Sequence, residues 1–402
     1  MKSLLPLLRR AVLLFEGLIG LIVGYLLMLT GAALFASRRS PTRAGVPTQR
    51  FAILVPAHNE ERLLPSTLAS LHAMDYPSEL FQVYVVADNC NDRTADLARQ
   101  GGACVYERFN TELVGKGYAL EWLLEQVWAD QSEYDAIVIL DADTVVSPNF
   151  LQVMDARMAR GERAIQAYYA VRDPESSRSA GFRAVALAVL HYLRPQGRMV
   201  LGGSTGLKGN GMVFAADIMR KHRWPASLTE DIEYHMALIL DGERVMFAPD
   251  AQVQAEMPDT LGSSQSQNVR WERGRVEMVQ HYVPRLLREA AHRRSFLLFD
   301  AAVEQLIPPY SIVAGASVAG LLAAAALRSR PGVRLGLALI KGQVVYIFTG
   351  LALSRAPRQV YLTLLYAPFF VLWKIWLYVR VLFGRNNQDW IRTRRNTDII
   401  HD

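Results

Sequence analysis

The sequence predicts an α/β domain with a parallel, doubly wound sheet, set between membrane helices. Three observations predict it. Short apolar strands alternate with helical stretches from Phe51 to Leu140, and apolar runs long enough to span a membrane stand at both ends. Between those runs lie roughly 250 residues of soluble character, enough for one sizeable core.

Phe51 to Val55 reads as a buried strand, followed by Pro56-Ala-His-Asn-Glu-Glu and a helical stretch through Leu71. Gln82 to Ala87 is the second strand, followed by Asp88-Asn-Cys-Asn-Asp and a helix through Arg99. Ala103 to Tyr106 is the third, with a helix from Gly117 to Trp128 after it, and Ala136 to Leu140 is the fourth, ending at Asp141. Parallel strands need crossover connections, usually helices, which then cover both faces of the sheet. Strands that are apolar throughout suit that environment.

The ends are of a different kind. In Ala11 to Ser37, the stretch from Gly17 to Phe35 carries no charge, and ~20 apolar residues suffice to cross a bilayer. The run is too long for a signal peptide, and Ser37-Arg38-Arg39 follows it instead of a polar mature start. Tyr310 to Leu327, rich in Ala and Gly, and Leu335 to Leu353, with Lys341 as its single charge, are further spans. Gln359 to Phe383 mixes Lys374 and Arg380 with Tyr361, Tyr366, Trp373, Trp376 and Tyr378, which suits the membrane interface as well as the interior and leaves its crossing open.

The net charge of +6 does not indicate nucleic acid. Much of the basic charge lies beside the membrane, at Arg38, Arg39, Arg43 and Arg50 and at Arg385, Arg392, Arg394 and Arg395. Such clusters mark cytoplasmic flanks against anionic lipid. The expected plan is an N-terminal anchor (1–40), a cytoplasmic α/β domain (41–290), an interfacial helix (291–309), C-terminal transmembrane or interfacial helices (310–384) and a basic cytoplasmic tail (385–402). The chain is then a multi-pass protein of the cell membrane. Cys90 and Cys104 form no disulfide framework.

In such a sheet, ligands bind at the carboxyl ends of the strands. Asp88 follows the second strand and Asp141-Ala-Asp143 the fourth. Two carboxylates one residue apart can hold a hard cation, Mg²⁺ or Mn²⁺, with open positions for phosphate oxygens; they also suit a turn before Ser147-Pro148. Gly115-Lys116-Gly117 opens a helix, where a lysine and a helix N-terminus favour an anionic phosphate, or it is an ordinary loop. It lacks the spacing of an ATPase phosphate loop. Thr229-Glu230-Asp231 precedes Ile232, Met236, Ile239 and Leu240 at helical spacing. Ser227 with Glu230 reads as a capping box, which leaves Asp231 beside the apolar stripe as a candidate base. In Gln267-Asn-Val-Arg270-Trp271, a helix puts the amide, guanidinium and indole on one face. They can grip phosphate and stack on a sugar there, or serve as an interfacial anchor.

Taken in order, Asp88, Asp141-x-Asp143, Thr-Glu-Asp231 and Gln-x-x-Arg-Trp resemble the family 2 glycosyltransferases of the GT-A fold. The resemblance covers roughly Phe51 to Val283 and the membrane topology. The similarity is to the branch holding cellulose, hyaluronan, chitin and poly-N-acetylglucosamine synthases and ceramide glucosyltransferases. It implies that Pro56, His58, Glu60 and Asp88 line the pocket for base and ribose of a nucleotide-sugar donor, a UDP-sugar. Lys116, Gln267 and Arg270 would face the diphosphate, and Asp141 and Asp143 would hold sugar and divalent metal. Asp231 would be the general base of an inverting transfer. Trp271, Glu230 and the small-residue loop Gly209-Asn210-Gly211 would meet the acceptor, a polysaccharide or glycan. A lipid acceptor is the alternative, and a membrane-anchored nucleotidyltransferase a more distant one. Trp390-Ile-Arg-Thr-Arg394 resembles a tail that relatives keep in the cytoplasm, which agrees with an interfacial Gln359 to Phe383. The chain lacks the large regulatory additions of cellulose synthase, and its few spans argue against a wide polymer channel in one monomer.

Overall fold

The structure is a computed structural model. It describes residues 4–38, 45–130, 133–225, 227, 229–257 and 265–383, with 265–273 and 377–383 as backbone only. Eight strands form one sheet: β1 (Phe51–Ala57), β2 (Phe81–Asp88), β3 (Cys104–Arg108), β4 (Ala136–Ile139), β5 (Thr144–Val146), β6 (Ala164–Val171), β7 (Met212–Ala215) and β8 (Val245–Ala255), in the order β3-β2-β1-β4-β7-β6-β8-β5. β1 to β4 are the strands the sequence predicts. They run parallel, with Phe51 opposite both Phe81 and Ala136.

The sheet as a whole is mixed, which corrects the expectation of a parallel one. β7 runs antiparallel to β4 and β6, and β5 antiparallel to β8. β4 and β5 follow one another in the chain yet stand four strand positions apart in the sheet. Flat, that separation would be roughly 19 Å at about 4.8 Å per strand. The five steps from Ile139 to Thr144 reach at most ~17 Å. The sheet therefore curls, and the link that draws it round is Leu140-Asp141-Ala142-Asp143. A register shift between β6 and β8 at Ala167/Tyr168 supplies the bend: Pro249, Asp250 and Ala251 of β8 have no partners in β6.

Alternation along the strands separates two cores. Phe51, Ile53 and Val55 of β1 face the helices Leu64–His72 and Phe150–Met158, while Ala52 and Leu54 face the helices Lys116–Ala129 and Glu230–Leu240. Both faces are covered, as the apolar strands require.

Two helices, Leu4–Ala36 and Arg330–Leu353, are long and apolar enough to cross a bilayer. The number is up to three if Phe296–Leu306 and Tyr310–Ala326, bent by 65° from one another, form one span. The helix from Tyr310 has 17 residues and falls short of the ~20 a crossing takes by itself. Pro308 and Pro309 account for the break that precedes it. The stretch expected in the interface divides into Arg358–Thr363, a tight turn at Leu364–Tyr366, and Ala367–Phe383. The basic tail and Trp390-Ile-Arg-Thr-Arg394 lie outside the described residues.

The α/β domain is fastened to the first of these helices through Arg194–Leu201, which leads on to the glycine loop before β7. A Cβ at Gly197 would fall on the carbonyl of Leu29, so glycine permits backbone to meet backbone. Arg198 donates to Asp300 from Nε at 3.0 Å and Nη2 at 2.5 Å, and Arg194 pairs with Glu304 at 2.8 Å. Arg198 and Asp300 are both buried. Removing one member of a buried pair typically costs about 3–5 kcal/mol, whereas replacing both with apolar groups is often neutral. Asp300→Ala should lower the thermal unfolding midpoint of the solubilised protein markedly, and Arg198→Met combined with Asp300→Leu should recover most of the loss.

Candidate active site

The carboxyl ends of β1 and β2 lie side by side, with Ala57 opposite Ala87. That register gathers Pro56, His58, Glu60 and Asp88 into one corner. His58 Nδ1 is 2.7 Å from the carbonyl of Asp88, and the Glu60 amide donates to Thr94 Oγ1 at 2.8 Å. Asn59 and Asn89 turn the chain at positive φ, 54° and 51°, a conformation asparagine tolerates better than most residues. The Asp88 carboxylate is buried and accepts from Arg108 Nη1 at 2.5 Å and from Asn89 Nδ2 at 3.2 Å. Arg108 also donates to the carbonyl of Leu113 at 2.7 Å, fixing the loop before Lys116.

The second group forms where the sheet curls. Lys116, at the start of its helix after Gly115 at φ 134°, donates to Asp141 Oδ1 and to the carbonyl of Gly209, each at 2.5 Å. The Asp141 amide donates to Asn210 Oδ1 at 3.1 Å, and Asn210 Nδ2 donates to Thr144 Oγ1 at 2.8 Å. The glycine loop is thereby tied to both ends of the β4–β5 link. Gly209 and Gly211 have φ of 75° and 68°. A Cβ at Gly211 would press to 2.7 Å from Val253, and one at Gly209 would stand 3.6 Å from Asp231 Oδ2 and 3.9 Å from Lys116 Nζ. Asp231 and Lys116 therefore meet at the same face of Gly209, with Asp141 bonded to that lysine. Asp143 is half-buried in the same link.

Charge in this pocket is finely opposed. Burial works against the Lys116 ammonium, but Asp141, Glu230 and Asp231 outweigh it and raise its pKa. Burial lifts Asp231 above the usual carboxylate range, against the helix-start amides, Lys116 and Lys208. Burial also pushes Glu230 up to about 7, against the pull of Lys116. The capping box is not formed. Thr229 stands at the N-cap with no side-chain bond, and Ser227 Oγ is buried without a hydrogen bond among the described residues. Helix Glu230–Leu240 thus leaves its first amides to offset nearby negative charge.

Sequence reasoning missed the supports. Gln166, buried in β6, accepts from the Lys208 amide at 2.9 Å and donates to the carbonyl of Asn210 at 2.8 Å. A glutamine inside an otherwise apolar strand was the available signal. Tyr169 borders Asp141, Asp143 and Asn210, and the His191 ring lies 5.4 Å from its own. Burial, with Lys208 and Arg183 near, keeps His191 well below its usual pKa. Gln267, Arg270 and Trp271 are carried on the helix Gln265–Arg293, the condition for their sharing one face; their side chains lie outside the described part.

The fold and this setting of carboxylates around a lysine define a domain that receives a charged ligand at its strand ends. Residues 47–274, more than half the chain, match the family described as Glycosyltransferase like family 2. The chain belongs to that family of glycosyltransferases. Beta-monoglucosyldiacylglycerol synthase of Synechocystis sp. is 26% identical over 59% of this chain and 50% of its own. Poly-beta-1,6-N-acetyl-D-glucosamine synthase of Staphylococcus aureus is 24% identical over 56% and 54%. A mannosyltransferase from Pyrobaculum calidifontis, solved in complex with GDP-Man and Mn²⁺, shares the fold with a TM-score of 0.55 at 19% identity, covering 92% of this chain and 100% of that one. The chain spans between 38% and 61% of the lengths of the first curated relatives it matches.

The Glu230 shift sets the sign of a pH effect. Its pKa is 4.5 without the fold and about 7 within it. Stability from Glu230 is complete below 4.5 and is lost as pH rises through about 7, because only the unfolded chain gives up the proton readily in that window. Without added metal, the wild type should lose a few degrees of unfolding midpoint relative to Glu230→Gln between those pH values. Parallel midpoint curves for the two proteins would contradict the assignment.

Proposed function

We propose that the chain transfers a sugar, with inversion, from a UDP-sugar to a polysaccharide or glycan acceptor at the cytoplasmic face of a cell membrane. The observation that carries this reading is Asp231 meeting Lys116 at Gly209, with Asp141 bonded to the same lysine. That arrangement sets a base beside a phosphate-binding lysine and a glycine loop open to ligand. The assigned domain is 41–290, with the spans holding it at the bilayer and 291–309 as an interfacial helix.

Asp141 and Asp143 fit a divalent ion that arrives with its ligand. They form no group of three or more metal-ligating side chains among the described residues, and Mg²⁺ commonly binds through one or two carboxylates plus substrate phosphates. When bound, such an ion supplies neutralisation of charge on the leaving diphosphate. The chain's own residues do the remainder. The pocket of Pro56, His58, Glu60 and Asp88 holds the nucleoside, while Lys116, Gln267 and Arg270 face the diphosphate. Asp231 accepts the proton of the acceptor hydroxyl as its oxygen bonds to the anomeric carbon. The bond from that carbon to the phosphate oxygen breaks, and UDP leaves. Trp271, Glu230 and the loop Gly209-Asn210-Gly211 seat the acceptor.

A lipid acceptor is the second reading. It is favoured by helix Arg194–Leu201, which leads to the glycine loop while packed directly on the candidate span Leu4–Ala36. Release of nucleoside diphosphate rather than pyrophosphate separates both readings from a nucleotidyltransferase.

Asp231→Asn retains shape and removes basicity. Transfer should fall by about 10² to 10⁴ while UDP binding and melting temperature are kept. Transfer near the wild-type rate would refute the assignment. Asp143→Asn should abolish most donor turnover and its response to Mg²⁺ or Mn²⁺, and undiminished wild-type activity in EDTA would remove the metal from the scheme. Trp271→Ala should weaken use of acceptor more than binding of donor, by about 1 kcal/mol or more for a lost stacking platform. Collapse of donor affinity with acceptor use unchanged would move Trp271 to the donor side.

A further inference from the structure

Near Asp231, on the side of the helices Leu4–Ala36 and Phe296–Leu306, lies a cluster of partly buried charge. Arg194, Arg198, Lys208 and Arg275 surround Glu304, and Tyr25 of the helix Leu4–Ala36 lies against the same group. The charges are paired with one exception. Arg198 is held by Asp300, Arg194 by Glu304, and Arg275 donates to the carbonyl of Ile307. The Lys208 ammonium has no ion pair or hydrogen bond among the described residues, although its backbone amide is fixed by Gln166.

Its position is built. Lys208 directly precedes the glycine loop, and a Cβ at Gly206 would stand 3.2 Å from Nζ, so a glycine leaves the ammonium its room. Asp231 and Glu304 attract it, Arg194 and Arg198 repel it, and burial, the largest influence, brings its pKa down to about 8. Lys116 also lies near Asp231 but is already engaged by Asp141 and Gly209. The two lysines thus divide the pocket, one beside the carboxylates of β4–β5 and one facing the membrane-side cluster. A half-buried cation with no ion pair or hydrogen bond of its own is costly, and an arriving anion offsets that cost.

We propose that Lys208 is an anion subsite at the acceptor entrance, where its ammonium takes the acidic group of an acceptor coming from the bilayer side and sets it beside Asp231. The inference rests on Asp231 marking the acceptor side of the transferase site. It narrows the acceptor to molecules that carry a negative group close to the hydroxyl that receives the sugar.

The test is competitive acylation of the full-length wild type near pH 8, with the modification at Lys208 and Lys116 read by peptide mass spectrometry. The probes are phosphatidylglycerol in phosphatidylcholine vesicles, phosphatidylcholine alone, glycerol 3-phosphate, glycerol and UDP. Protection of Lys208 by about tenfold, equivalent to 1.4 kcal/mol, is expected with an anionic probe and not with its neutral counterpart. Protection by phosphatidylglycerol alone assigns the group to a membrane lipid, and protection by glycerol 3-phosphate assigns it to a soluble acceptor. UDP should protect Lys116 and leave Lys208 reactive. The proposal is overturned if neither anion protects Lys208, if phosphatidylcholine protects it equally, or if UDP protects it as fully as Lys116. The readout does not depend on turnover, so a protein that transferred no sugar would still answer it, and loss of the Asp231 assignment would be seen separately.

Discussion

The site depends on a length constraint. Four residues join β4 to β5, and they cannot reach across a flat sheet to the edge where β5 pairs. Asp141 and Asp143 lie in that link, and the glycine loop reaches it because β7 pairs with β4, with Met212 opposite Ile139. Asn210 then bonds to both ends of that link. The approach is close enough that Gly211 has no room for a side chain beside Val253.

Within that frame the charges are mutually dependent. Lys116 stays protonated because Asp141, Glu230 and Asp231 surround it, and two of these, Glu230 and Asp231, are themselves destabilised by burial. Such a set is poised for a ligand that brings both negative charge and a cation, since each would relieve part of the strain the other creates. Helix Glu230–Leu240 contributes through its uncapped start, whose amides face the same region of negative charge.

The membrane enters through a second charged layer. Helix Arg194–Leu201 touches the helix Leu4–Ala36 at Gly197 and meets the helix Phe296–Leu306 through two ion pairs. The same segment leads within a few residues to Lys208 and the glycine loop. Movement of the helix Leu4–Ala36 relative to the α/β domain would therefore be felt at Lys208 and the glycine loop before the corner of His58 and Asp88, which rests on β1 and β2.

The sequence by itself determined the parallel half of the sheet, because buried parallel strands must be apolar throughout and their crossovers helical. It determined the order of the motifs and the spacing that sets Gln267, Arg270 and Trp271 on one face of a helix, since these are local patterns. It also carried the long apolar run of the first helix. Only the tertiary structure decided the antiparallel strands β5 and β7 and the curl, which follow from chain reach and from a bulge between β6 and β8. The ion pair of Asp88 with Arg108 and the support of the glycine loop by Gln166 likewise join residues distant in the chain. The capping reading of Ser227 and Glu230 failed for a related reason. The local pattern is real, but at this helix start the carboxylates of Glu230 and Asp231 lie against Lys116 from another element, and that buried electrostatic contact is non-local.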